Sequence, residues 1–268
     1  MPDDTTPDVP RAEVGALDAA LVTVGAIIGS GIFYTPAEVA RAAGTTARSL
    51  VVWCVGAALS LLGALTLAEP AAALPATGGL YAHLRRAFGP AVAFLFGWAM
   101  LVVLAPSSVA FFAGVTARHL AAALRLPERP VALAVIALVA AVNVTGVRRA
   151  ARLQSVTAAA KYLGLALVAA AAFTAGAPKP VSVGPATQGS LFAAVVPVLW
   201  AYDGWIDVTS IAGELRDPAR DIPRALVLGT LGVAAIYLAV VWGYHHALGT
   251  AGLAAASAPG NALGALGD

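Results

Sequence analysis

The chain has 268 residues, of which 60% are hydrophobic and only 11% charged, with a mean hydropathy of +0.84. A soluble domain carries about 25% charged residues, so this composition excludes an ordinary soluble protein and fits a polytopic membrane protein. A net charge of +2 is too small to suggest a nucleic-acid partner. A single cysteine, Cys54, permits no intrachain disulfide, and inside an apolar segment it reads as a small buried hydrophobe.

Residues 1–16 are polar and acidic, with Asp3, Asp4, Asp8 and Glu13 and no basic leader. They read as a disordered cytoplasmic tail rather than a cleavable signal. The membrane domain is expected over residues 17–248, in seven apolar segments. These cover residues 19–37, 49–68, 87–117, 130–147 and 153–176, with a sixth from about 190 and a seventh from about 225. Each approaches or exceeds the ~20 apolar residues that cross a ~30 Å hydrocarbon core. Residues 249–268 are then a small-residue extracytoplasmic tail, read as the start of a truncated loop.

Basic residues orient the spans. With the N-terminus inside, Arg11, Arg85, Arg86, Arg148, Arg149, Arg152, Arg216, Arg220 and Arg224 are cytoplasmic. Arg41, Arg48, Arg118, Arg125, Arg129 and Lys179 fall outside. The excess favours a cytoplasmic N-terminus.

Two of the spans are interrupted. Gly29, Ser30 and Gly31 break the first, and Tyr202, Asp203, Gly204 and Trp205 break the sixth. Gly and Ser weaken a helix, and unpaired backbone groups at membrane depth are tolerated only where they line a protein cavity. A pair of breaks in corresponding helices points to a transporter's binding site. Gly25 and Gly29, four residues apart, also suit a helix-packing face, but the second break is not explained that way.

The first break offers free N–H groups at the positive end of a half-helix, which suit a carboxylate. The candidates are Ile28, Ser30, Gly31 and Ile32, the Ser30 hydroxyl assisting. The second break offers carbonyls of Trp200, Ala201 and Tyr202, with Asp203 and Gly204, to an ammonium group. A charged Asp203 costs about 2.5–3.5 kcal/mol at the centre of a span, so it is expected to face water or a partner. Lys161 lies ~12 Å into the fifth span, too deep for easy snorkelling, which calls for a buried partner or a neutral amine. Glu69 is expected to cap or pair locally. The charges Glu214 to Arg224 read as solvated cytoplasmic anchors or as gate ion pairs. His83, His119, His245 and His246 lie near helix ends at no metal-site spacing.

Three motifs together resemble the amino acid–polyamine–organocation permeases. They are residues 25–33 with Pro36; Glu69 with residues 74–81 and 88–90; and residues 200–205 with 212–225. The resemblance implies an all-α five-plus-five inverted repeat with discontinuous helices one and six, of which this chain holds helices one to seven. It implies transport of an α-amino acid, here leaning towards a neutral one, across a bacterial inner membrane by alternating access. It further implies a gating role for Trp200, and for Lys161 the place of a sodium ion, with proton coupling or exchange. No cofactor or metal is expected. Neither is a disulfide-linked heavy chain, since residues 118–130 hold no cysteine.

Rival readings fare worse. A seven-helix photoreceptor needs a lysine in its last helix, and residues 225–248 contain none. An intramembrane serine hydrolase would use Ser30 as nucleophile, but Ile28 stands where that motif wants glycine. No P-loop lysine follows Gly31. A non-transporting fragment or interaction partner derived from a permease is the remaining alternative.

Overall fold

A computed structural model describes residues 15–74, 78–144, 147–174 and 190–256. The polar tail up to Val14, the middle of the Pro75 motif and the end of the chain lie outside the described residues. Among the described residues the fold is all helical, without a β-strand.

Among the described residues ten α-helices follow the apolar segments in order. The first apolar segment folds as α1 (Ala16–Ile27) and α2 (Gly31–Ala43), bent by 57° at the break between them. Next come α3 (Thr46–Ala73), α4 (Gly79–Phe88) and α5 (Pro90–Ala99). A π-helical turn over Met100–Leu104 joins α5 to α6 (Ala105–Leu124). Pro106 has no N–H for the carbonyl four residues back, and the Ala105 N–H bonds the Met100 carbonyl five residues back. Then follow α7 (Glu128–Val144), α8 (Val147–Thr174), α9 (Leu191–Ala201) and α10 (Pro218–Ala255). Four helical stretches are long and apolar enough to cross a membrane, five if the bent pair counts as one span. Shorter α7 and the apolar Ala160–Ala171 part of α8 fall where the fourth and fifth spans are read.

The chain divides into two compact units, Met1–His83 with Leu163–Asp268, and Leu84–Tyr162. In the first, α10 packs against α1, α2 and α3, and α9 packs against α2 and α3. Its interior is built from small side chains: Ala19 and Ala20 of α1 meet Ala64, Ala68 and Ala71 of α3 and Ala225 of α10. Such residues let helix backbones approach where lipid offers no hydrophobic drive to associate. Thr23 shows the approach, since a Cβ on Gly229 would lie 2.6 Å from its Cβ. In the second unit Ala117 and Ala121 of α6 bury against Val131 of α7.

Two expectations need correction. Cys54 is exposed, because it sits about 100° around α3 from the fully buried Trp53. Glu69 is exposed and neither caps nor pairs among the described residues, as α3 runs on past it through Pro70 to Ala73. Residues 250–255 are helical. Gly249 (φ 67°, ψ 165°) breaks α10, and beyond it Leu253 is fully buried while the Arg41 guanidinium donates to the Ala254 carbonyl at 3.0 Å.

Candidate functional site

The first break begins where α1 runs out. Ile28 leaves helical geometry (ψ 98°) while its N–H still bonds the Val24 carbonyl at 3.0 Å. Gly29 and Ser30 form the bend, and Ser30 stands at the N-cap of α2 without a side-chain capping bond. Its carbonyl accepts the Phe33 N–H at 3.0 Å. The first N–H groups of α2, those of Gly31 and Ile32, precede that helix's own i to i−4 bonding ladder. Ile28 and Ile32 are buried, anchoring both sides of the bend.

The second break ends α9 in a tight turn. The Tyr202 N–H bonds the Val198 carbonyl at 3.0 Å, and the Asp203 N–H bonds the Trp200 carbonyl at 3.2 Å. Gly204 then takes φ +117°, a conformation that a side chain would strain. The α-helix does not resume. Residues Trp205–Glu214 form a 3-10 helix, far longer than the usual three or four residues.

The two breaks cross each other. A Cβ on Gly31 would lie 2.9 Å from both Cα and Cβ of Ala201, and 3.6 Å from Cζ3 of Trp200. Reciprocally, a Cβ on Gly204 would lie 2.6 Å from the Ala26 carbonyl oxygen and 3.0 Å from the Ile27 nitrogen. Each break therefore uses a glycine to seat the end of the other's helix. The N-terminus of α2, the positive end of its dipole, lies beside the C-terminus of α9, the negative end of its own.

Tyr237 of α10 joins them. Its hydroxyl is 3.2 Å from the Ile27 carbonyl and 3.2 Å from the Ala201 carbonyl, so one O–H is shared by the last residues of α1 and α9. Its ring packs on Tyr202 (centroids 5.1 Å apart) and edge-on to Trp53 of α3 (5.6 Å). Tyr202 is fully buried in that aromatic cluster. Asp203 and Trp200 are exposed, the indole by 44%.

The structure thus brings Gly31 against Ala201 and Trp200, and Gly204 against Ala26 and Ile27, with Ile28, Ser30, Ile32, Tyr202 and Asp203 adjoining them in the chain. Lys161 belongs to the second unit, where it is half-buried with Nζ 5.3 Å from the Tyr162 ring centroid. Trp53 and Tyr237 were missed from the sequence; the signal for Tyr237 is a hydroxyl midway along an apolar span. Arg216, Asp217, Arg220, Asp221 and Arg224 form no ion pairs among the described residues.

The family model described as amino acid permease matches residues 14–264, nearly the whole chain and both breaks. The chain belongs to the amino acid permease family. This permease chain is 36% identical over 242 residues to the b(0,+)-type amino acid transporter 1 of Rattus norvegicus, covering 85% of the chain and 50% of that protein. It is 30% identical over 244 residues to the serine/threonine exchanger of Bacillus subtilis, covering 89% and 56%. A transporter of Mycobacterium tuberculosis is 33% identical over 264 residues, covering 94% and 57%. The permease chain spans about half the length of the curated relatives it matches.

Proposed function

We propose that this chain carries the amino-acid-binding breaks of a secondary transporter that moves a neutral α-amino acid across a bacterial inner membrane by alternating access. The observation that carries the reading is the crossing of the two breaks. It sets the N-terminus of α2 beside the C-terminus of α9, a match for the two charges of a zwitterion.

The substrate carboxylate sits at the N–H groups of Ser30, Gly31 and Ile32, beside Ile28. Its ammonium sits at the carbonyls of Trp200, Ala201 and Tyr202, with Asp203 supplying the negative charge and Gly204 the turn. The Ala201 carbonyl accepts the Tyr237 O–H, and a carbonyl oxygen has a second lone pair that suits an ammonium. The half-exposed Trp200 indole closes over the bound substrate as the gate. Lys161 takes the place of a coupling cation, so transport is proton-coupled or an exchange and runs without sodium. The N-terminus is cytoplasmic, and no disulfide-linked partner is engaged.

Labelled neutral amino acids added to the purified chain test this. Saturable binding that is lost in Gly31→Ala and weakened in Asp203→Asn supports the site. Absence of binding, or equal binding by wild type and both variants, overturns it. A second reading is a non-transporting partner derived from a permease. Binding without uptake in proteoliposomes selects that reading.

A further inference from the structure

A second polar site lies at the far end of α10, away from the two breaks. The hydroxyls of Thr46 and Thr250 are 3.0 Å apart, and they lie 3.3 Å and 3.2 Å from Nδ1 of His245. The break at Gly249 brings this about, because a continuous helix would carry Thr250 about 140° around the axis from His245. The imidazole is nearly closed off, with 5% of its surface exposed.

The triangle satisfies only one ring nitrogen. If Nδ1 accepts from a threonine, Nε2 carries the proton; if Nδ1 donates, Nε2 is a bare acceptor. In either tautomer Nε2 is buried without a hydrogen-bond partner among the described residues. A second orphan lies on α3, one turn on from Thr46: Ser49 is fully buried and its hydroxyl is likewise unpartnered.

Helix register sets Ser49 about one turn along α3 from the level of His245. Thr46 meets His245 and Trp53 meets Tyr237, so α3 and α10 run antiparallel with Ser49 between those two contacts. Side chains on a helix tilt towards its N-terminus, which aims His245 towards the level of Ser49. Buried polar groups of this kind are ordinarily joined by an ordered water, which can donate to one partner and accept from another.

We propose that Ser49 and His245 form a buried water-binding site between α3 and α10, the water bridging Ser49 Oγ and His245 Nε2. With Thr46 and Thr250 it makes a continuous polar joint between the start of α3 and the two sides of the Gly249 break. This inference is independent of the amino-acid site.

The test is solid-state NMR of the chain in lipid bilayers, with histidine ring nitrogens labelled and magnetisation passed from water protons. The His245 signal is assigned by its loss in His245→Gln. Transfer from water to His245 Nε2 supports the site. No transfer to Nε2, in a sample where exposed His119 receives it, overturns it. Ser49→Ala is expected to lose that transfer while the His83 signal keeps its position. Undiminished transfer in Ser49→Ala overturns the bridge.

Discussion

The Tyr237 hydroxyl lies 3.2 Å from the carbonyl of Ile27, a hydrogen bond that reaches across 210 residues. The same hydroxyl lies 3.2 Å from the Ala201 carbonyl. A carbonyl at the last turn of a broken helix has no N–H four residues on, and inside a membrane protein it needs a donor from elsewhere. Tyr237 supplies that donor to both breaks from a helix that is continuous at this level.

Tyr237→Phe keeps the ring and removes the donor. Two buried carbonyls then lose their bond at once, and the chain is expected to lose about 1 kcal/mol of stability. Thermal unfolding in detergent measures this. An unchanged midpoint shows that the shared bond contributes nothing.

Gly31→Ala and Gly204→Ala each force a methyl into backbone atoms of the other break. Overpacking costs about 1–3 kcal/mol, and Gly204 adds the strain of a positive φ. Both variants are expected to bind no amino acid, with Gly204→Ala the less stable. Equal unfolding midpoints for wild type and both variants contradict the crossing geometry.

Asp203 is exposed, so Asp203→Asn is expected to leave the unfolding midpoint unchanged. Its effect falls on binding, with affinity lowered about tenfold for the loss of one charge-assisted contact. Isothermal titration with a neutral amino acid separates the two readouts.

Cys54 faces outward from α3 about 12 Å from its first residue, at a depth set by the helix rise. An apolar maleimide is expected to label it in intact membranes. A sulfonated thiol reagent, whose charge keeps it out of hydrocarbon, is expected not to. Labelling by the charged reagent would place this face of α3 against water instead.

Both breaks were legible because Gly, Ser and Asp are conspicuous in apolar spans, as at Gly29–Ser30 and Asp203–Gly204. Which residues serve them was not. Trp53 and Tyr237 are aromatic residues in apolar helices, and composition alone does not tell a lipid-facing ring from a buried one. Cys54 was misjudged for the same reason, since one residue of register separates it from buried Trp53. The ten-residue 3-10 helix after Gly204 carries no marker either, because its residues would suit an α-helix. Within α10 the helix breaks at Gly249. Its continuation as a docked turn depends on Thr46 and Arg41, which lie about 200 residues away.

The π-helical turn at Met100–Leu104 alters how the whole Pro90–Leu124 stretch is to be numbered by face. One residue more than an α-turn needs is taken up there, so everything after Pro106 is rotated by about 100° relative to an unbroken helix. A helical wheel drawn through from Phe94 therefore assigns Ala113, Ala117 and Ala121 to the wrong side, although these are the buried positions of α6. Accessibility profiles along this span will change phase at Pro106, and the stripes on its two sides have to be read separately.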